Sequence, residues 1–208
     1  KAKKQLQAYK SVARQLTQIR ETASDNLTFE IKQQLKALGM GNCEFVPVLN
    51  TDNEHPKSTG YESIEFLVST NPGQPIKALN KVASGGELSR ISLAIQVACA
   101  TTTNVSTLVF DEVDVGIGGA VAQIVGKLLQ ELGTNNQVLC VTHLPQVAAQ
   151  GHTHLHVNKQ TSKKQTHTDI AKLSQDEKVA EIARMLGGLK ITNQTLAHAR
   201  ELIEDSQG

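Results

Sequence analysis

The sequence predicts an α/β fold, a mostly parallel sheet flanked by helices and entered through a long amphipathic helix. Three observations predict it. Residues 1–38 contain neither Pro nor Gly and repeat apolar residues at spacings of three and four. From residue 107 onward, short apolar runs alternate with helical patterns, as in strand–helix–strand units. Those runs lack the polar alternation of half-exposed strands, which argues for parallel strands covered on both faces.

The first helix carries Leu6, Tyr9, Ala13, Leu16, Ile19, Ala23, Leu27, Ile31, Leu35 and Leu38 on one stripe, with a possible break at Ser24-Asp25-Asn26. The stripe is narrow and resembles a coiled-coil seam, which implies a partner helix. Gly39 and Gly41 end it. Residues 43–49 and 63–69 then read as strands of an antiparallel edge, separated by the polar loop TDNEHPKSTG. Ser84 opens a helix to about residue 100, apolar nearly all round and therefore expected to be buried. A strand at 107–110, a helix at 120–132, a strand at 137–141 and a short helix after Pro145 follow. Strands near 154–158 and 169–173 and helices at 176–186 and 193–205 complete the chain.

The composition excludes several classes. Across 208 residues, 21 Lys+Arg against 20 Asp+Glu give a net charge of +1, so the chain is no wholesale polycation. With no Trp and 3% aromatics it lacks the exposed rings of a base-stacking surface. No apolar run reaches a membrane span, and the basic opening is not followed by the apolar stretch of a secretory signal, so a cytoplasmic location is expected. Cys43, Cys99 and Cys140 form no C-x-x-C pair; Cys99 and Cys140 read as inert packing residues.

Three segments could carry chemistry. Ser84-Gly85-Gly86-Glu87 fits a capping box, Ser at the N-cap and Glu three residues on. The same glycines would let a phosphate approach the free N–H groups of the helix end. Thr107-Leu108-Val109-Phe110-Asp111-Glu112 is an apolar strand ending in two carboxylates, where ligands bind in an open α/β sheet. There Asp111 suits Mg²⁺ and Glu112 suits a water to be activated, although acids at a solvated strand end have the same pattern. Asp114 and the glycines at 116, 118 and 119 make the turn that follows. Thr142-His143 closes the next strand; if the two strands are neighbours, His143 lies at the edge that bears Asp111 and Glu112.

The order SGGELSR, TLVFDEVD, VTH resembles the carboxyl-terminal lobe of ATP-binding-cassette ATPase heads of the structural-maintenance-of-chromosomes type. KVASGGELSRISLAIQVA, FDEVDVGIGG, VTHLPQVAAQGHTHLHV and IARMLGG resemble, within that superfamily, the RecN family of bacterial DNA-repair proteins. The resemblance implies that Ser84, Gly85, Gly86 and Glu87 are the signature motif that meets ATP on an opposite head. It implies Asp111 as the Walker B ligand of Mg²⁺, Glu112 as the general base, Asp114 in the loop communicating across the dimer, and His143 as the switch histidine. The helix before Leu38 would be the base of a returning coiled-coil arm.

One departure matters more than these matches. No G-x-x-x-x-G-K-[ST] occurs, so the phosphate-cradling loop is missing. The expectation is a carboxyl-terminal piece of a longer chain, residues 1–38 forming the arm base and 39–208 the lobe. Its partners would be an amino-terminal lobe carrying Walker A, a second head, and DNA in the nucleoid. Such a piece should be inactive alone and leave an edge of its parallel sheet uncovered. The rival readings are a non-catalytic assembly module or the head of another chromosome-maintenance ATPase. Two further patterns have plainer explanations: His152, His154 and His156 as exposed residues of an edge strand rather than metal ligands, and Lys1, Lys3, Lys4, Lys10, Arg14 and Arg20, which could meet DNA phosphates, as an ordinary coiled-coil exterior.

Overall fold

The computed structural model describes residues 1–82, 84–99, 105–161, 166–188 and 190–206. The chain divides into two compact units, Lys1–Thr101 and Thr102–Gly208.

In the first unit, helix α1 (Ala2–Ala37) has 36 residues, about 54 Å of length. It continues through Ser24-Asp25-Asn26, and Thr28 Oγ1 donates to the Ser24 carbonyl one turn back at 2.8 Å. Gly39, at φ 74°, stops it, and the Met40 N–H returns to the Leu35 carbonyl at 2.8 Å. Ile31, Leu35 and Leu38 are fully buried, whereas Val12, Ile19 and Phe29 stand exposed. Strands β1 (Glu44–Thr51) and β2 (Glu62–Ser69) pair antiparallel, and β3 (Lys77–Ala78) adds to β2. Helix α2 (Gly85–Ala98) packs on α1, which also packs on β1. Phe45, Val68, Ile91, Leu93 and Ala94 join the buried set; each large apolar side chain so covered contributes about 1.5–3 kcal/mol. Burial of α2 is one-sided, since Leu88 is exposed. Its expected end at residue 100 lies outside the described residues.

A polar pin ties α1 to the β1–β2 hairpin. The Glu62 side chain has 0% exposure and is paired at 2.7 Å with Arg20 Nη1. Thr17 Oγ1 donates to its other oxygen. More than two turns earlier on α1, the Tyr9 hydroxyl accepts from the Lys57 N–H and donates to the Lys57 carbonyl, both at 3.1 Å, while its ring meets Tyr61 edge-on. Gly60 allows this approach, because it has φ 96° and a Cβ there would lie 3.0 Å from Arg20 Nη1 and Leu16 Cδ2.

In the second unit, β4 (Thr107–Phe110) and β5 (Gln137–Cys140) run parallel, joined by the crossover helix α3 (Gly119–Leu132). Helix α4 (Pro145–Gln150) packs on α3. Strands β6 (Leu155–Thr161) and β7 (Thr166–Lys172) form an antiparallel hairpin, followed by α5 (Gln175–Gly187) and α6 (Asn193–Glu204). Ser174 and Thr192 cap the last two helices with full capping boxes. Ile182, Ala183, Ala199, Leu202 and Ile203 make a common core with Ala149 of α4.

Among the described strands the parallel pairing is β4–β5, and the remaining pairs are antiparallel because short connections join them as hairpins. The apolar runs predict cover on both faces. In this chain Val109 is 68% exposed and Leu139 and Val141 are exposed with it. A single crossover helix reaches only one face of so small a pair.

Candidate functional site

The parallel register sets Phe110 opposite Cys140, and the Val141 N–H donates to the Phe110 carbonyl at 3.0 Å. Asp111-Glu112 and Thr142-His143 therefore leave the sheet side by side, at the carboxyl ends of adjacent parallel strands. That is the neighbourhood the sequence makes conditional on the strands being neighbours.

Asp111 turns back on its own loop, with Oδ1 accepting the Glu112 N–H at 2.9 Å. Glu112 has φ 58°, the only non-glycine with positive φ among the described residues. For an L-residue with a Cβ this costs about 1 kcal/mol. The strain sits at the exposed carboxylate beyond the strand, and the turn continues through the Val115 N–H to the Glu112 carbonyl at 3.2 Å.

Asp114 faces inward. At 2% exposure, its Oδ2 accepts from Thr142 Oγ1 at 2.5 Å and from the His143 N–H at 3.1 Å. The imidazole Nδ1 of His143 is 3.3 Å from the same oxygen, while the His143 side chain remains 67% exposed. A carboxylate beside Nδ1 orients the ring and leaves Nε2 as the nitrogen for a ligand. Asp114 thus binds the loop after β4 to the loop after β5.

The surrounding field is negative. Burial, and then Asp114 and Asp111, push the Cys140 thiol up to about 12, so it is not a nucleophile near neutral pH and serves as packing. Mg²⁺ commonly takes one or two carboxylates and fills its octahedron with phosphate oxygens and water. Asp111, exposed at the strand end, fits that donor set. Among the described residues no cluster of three or more His, Cys, Asp or Glu could hold a metal by itself.

In the first unit, Ser84 is the N-cap of α2 and accepts the Glu87 N–H at 3.4 Å. Of the expected capping box, the bond from the Glu87 N–H to the Ser84 hydroxyl is therefore present. Ser84 and Gly85 are exposed and Gly86 is buried, leaving the helix end open to a ligand. Cys43 is pushed up to about 11 by burial, with Glu87 and Glu44 adding to it.

The histidine triplet differs from three exposed side chains. His154 is half-buried, and burial holds its imidazole below the usual value. His156 Nε2 lies 3.8 Å from Glu181 of α5, an acid supplied from outside the hairpin. Among the described residues no helix is long and apolar enough to cross a membrane.

The sequence places Thr142 beside a candidate but assigns a role to neither Thr142 nor Glu62. Thr142 had the signal of directly preceding His143 at a strand end. Glu62 stands in the same alternation as Ile64, Phe66 and Val68, and an acid on an apolar face calls for a partner.

No protein-family profile matches the chain. Curated relatives do. DNA repair protein RecN of Vibrio cholerae is 49% identical over 197 residues, covering 95% of this chain and 36% of the relative. The Haemophilus influenzae protein of that name is 46% identical over 97% of this chain, and the Bacillus subtilis one 40% over 93%, each covered for 36% of its length. The chain thus spans about a third of the relatives it matches. Among solved structures, the Smc head domain with a coiled coil and joint from Pyrococcus yayanosii superposes with a TM-score of 0.55 at 16% identity, covering 96% of this chain and 32% of that one. The Smc head domain with an extended coiled coil from Pyrococcus furiosus gives 0.55 at 18% identity, covering 85% and 42%. These two likenesses establish an Smc-head fold, and the sequence relatives put the chain in the RecN family, as the counterpart of about a third of its members' length.

Proposed function

We propose that this chain is the carboxyl-terminal lobe of a RecN-type ATPase head acting in the repair of DNA double-strand breaks, with residues 1–38 as the base of a coiled-coil arm and 39–208 as the lobe. The observation that carries the reading is the convergence of Asp111, Glu112 and His143 at the carboxyl ends of two adjacent parallel strands. The substrate is ATP. Asp111 holds Mg²⁺, which when bound offsets the charge of the phosphates. Glu112 orients a water in line with the terminal phosphorus and takes its proton. His143, with Nδ1 beside Asp114, presents Nε2 to the terminal phosphate oxygens.

The phosphate-cradling loop comes from an amino-terminal lobe, and a second head offers its Ser84-Gly85-Gly86-Glu87 segment to the ATP held on the first. Head closure and reopening then move the arms on DNA in the nucleoid. The lobe alone is inactive, because nothing in its sequence cradles the β- and γ-phosphates.

The test is steady-state ATP turnover by this chain alone and together with the amino-terminal lobe, with and without double-stranded DNA. Turnover only in the combination, abolished by Glu112→Gln while ATP-dependent head dimers persist, is the expected result. No turnover in a folded combination overturns the reading and favours an assembly module.

A further inference from the structure

We infer that Thr142 is a positioning residue for the switch histidine, its hydroxyl serving as the clasp through which the loops after β4 and β5 hold His143 at a fixed height above the strand ends. The inference rests on the ATPase reading above and adds to it a residue outside the expected machinery.

Three bonds make the clasp. Thr142 Oγ1 donates to Asp114 Oδ2 at 2.5 Å and accepts the Leu144 N–H at 3.0 Å. The His143 N–H, lying between them in sequence, donates to that same Asp114 oxygen at 3.1 Å. The backbone of His143 is therefore held on its own amide and on both neighbours. Leu144 is also the N-cap residue of α4, with Pro145 in the first turn, so the clasp sets where that helix begins.

The arrangement accounts for how an imidazole that is 67% exposed can keep a defined place. An exposed side chain gains little orientation from packing, so its position must come from its backbone and from Nδ1 beside Asp114. Asp114 is in turn a buried carboxylate, 2% exposed, that requires donors. Thr142 supplies the shortest one and, being β-branched, has few rotamers with which to abandon it. Valine matches its shape without donor or acceptor; serine keeps both with a looser χ1.

The test uses a full-length RecN-type protein carrying this segment. Thr142→Val is expected to lower kcat for ATP at least about tenfold, as small misplacements of catalytic groups do. KM should stay within about twofold, since the loss falls on the transition state rather than on substrate binding. Thr142→Ser should keep kcat within about threefold of the parent, because the hydroxyl is retained. Hydrogen exchange at the His143 and Leu144 amides reads the clasp without turnover, and should quicken at least about tenfold in Thr142→Val and stay near the parent in Thr142→Ser. A thermal scan on each variant separates loss of the clasp from loss of the fold. Full turnover in Thr142→Val, while Glu112→Gln is dead, overturns this inference and leaves the ATPase reading standing. Equal losses in the Val and Ser variants also overturn it, as does unchanged exchange at His143. Turnover indifferent to Glu112→Gln removes the ATPase reading and this inference with it.

Discussion

Asp114 Oδ2 lies 3.1 Å from the backbone N of His143 and 3.3 Å from its ring Nδ1, so one buried oxygen holds the main chain of a residue 29 positions further along and lies beside its ring. Removing it strands the Thr142 hydroxyl and the His143 N–H. Asp114→Ala is expected to destabilise the second unit by about 2 kcal/mol, and Asp114→Asn, which keeps an acceptor oxygen, by less. Urea unfolding monitored on each variant gives the comparison, and equal stabilities would show that the donors find water instead.

Glu62 makes stability depend on pH at the acid end. The Thr17 hydroxyl and Arg20 hold its carboxyl below the usual glutamate value, although burial opposes them. The folded form thus binds its proton less readily than the unfolded one. The stabilisation is complete above the ordinary value of 4.5 and is lost as pH falls below it through the depressed folded value. Glu62→Gln should flatten the stability profile below about pH 4.5, measured as the thermal midpoint against pH; an unchanged slope would assign the acid sensitivity elsewhere.

The neighbouring turn should tolerate no side chain. Gly60→Ala forces φ 96° on an L-residue and sets its Cβ 3.0 Å from Arg20 Nη1 and Leu16 Cδ2. Both effects add, for an expected loss of at least about 1 kcal/mol. Gly73, also at positive φ but with nothing within 4 Å, isolates the backbone part. Gly73→Ala should therefore cost less than Gly60→Ala by equilibrium unfolding, and a larger cost at Gly73 would contradict the close approach to α1.

Under the proposed ATPase reading, Glu112 separates stability from activity. At φ 58° a glycine is more comfortable than a glutamate, so Glu112→Gly should hold or raise the thermal midpoint. In the complete head it should also abolish ATP turnover. A fall in midpoint of more than a few degrees would show that the side chain supports the turn.

In the core, Leu35 is 1% exposed where α1 meets the rest of its unit. Leu35→Ala should cost about 2–5 kcal/mol, far more than Val12→Ala on the exposed stretch of the same helix. Comparable losses at the two positions would mean that the exposed stretch around Val12 is covered in solution.

Much of this molecule is legible in its sequence because local rules govern it. The absence of Pro and Gly before Gly39 and a three-to-four apolar spacing suffice for α1, since helix bonds close within four residues. The apolar run ending in Asp111-Glu112 and the one ending before Thr142-His143 mark two strand ends, and neighbouring parallel strands put those ends together. Tertiary structure alone decided the rest. It joined Glu62 to Arg20 and Asp114 to Thr142 across 42 and 28 positions, and twisted Glu112 into a left-handed turn. It also left Val109 and Val141 exposed, where apolar composition predicts cover. Period and composition record which faces avoid water; which polar group meets another across a packed boundary depends on where distant segments come to rest.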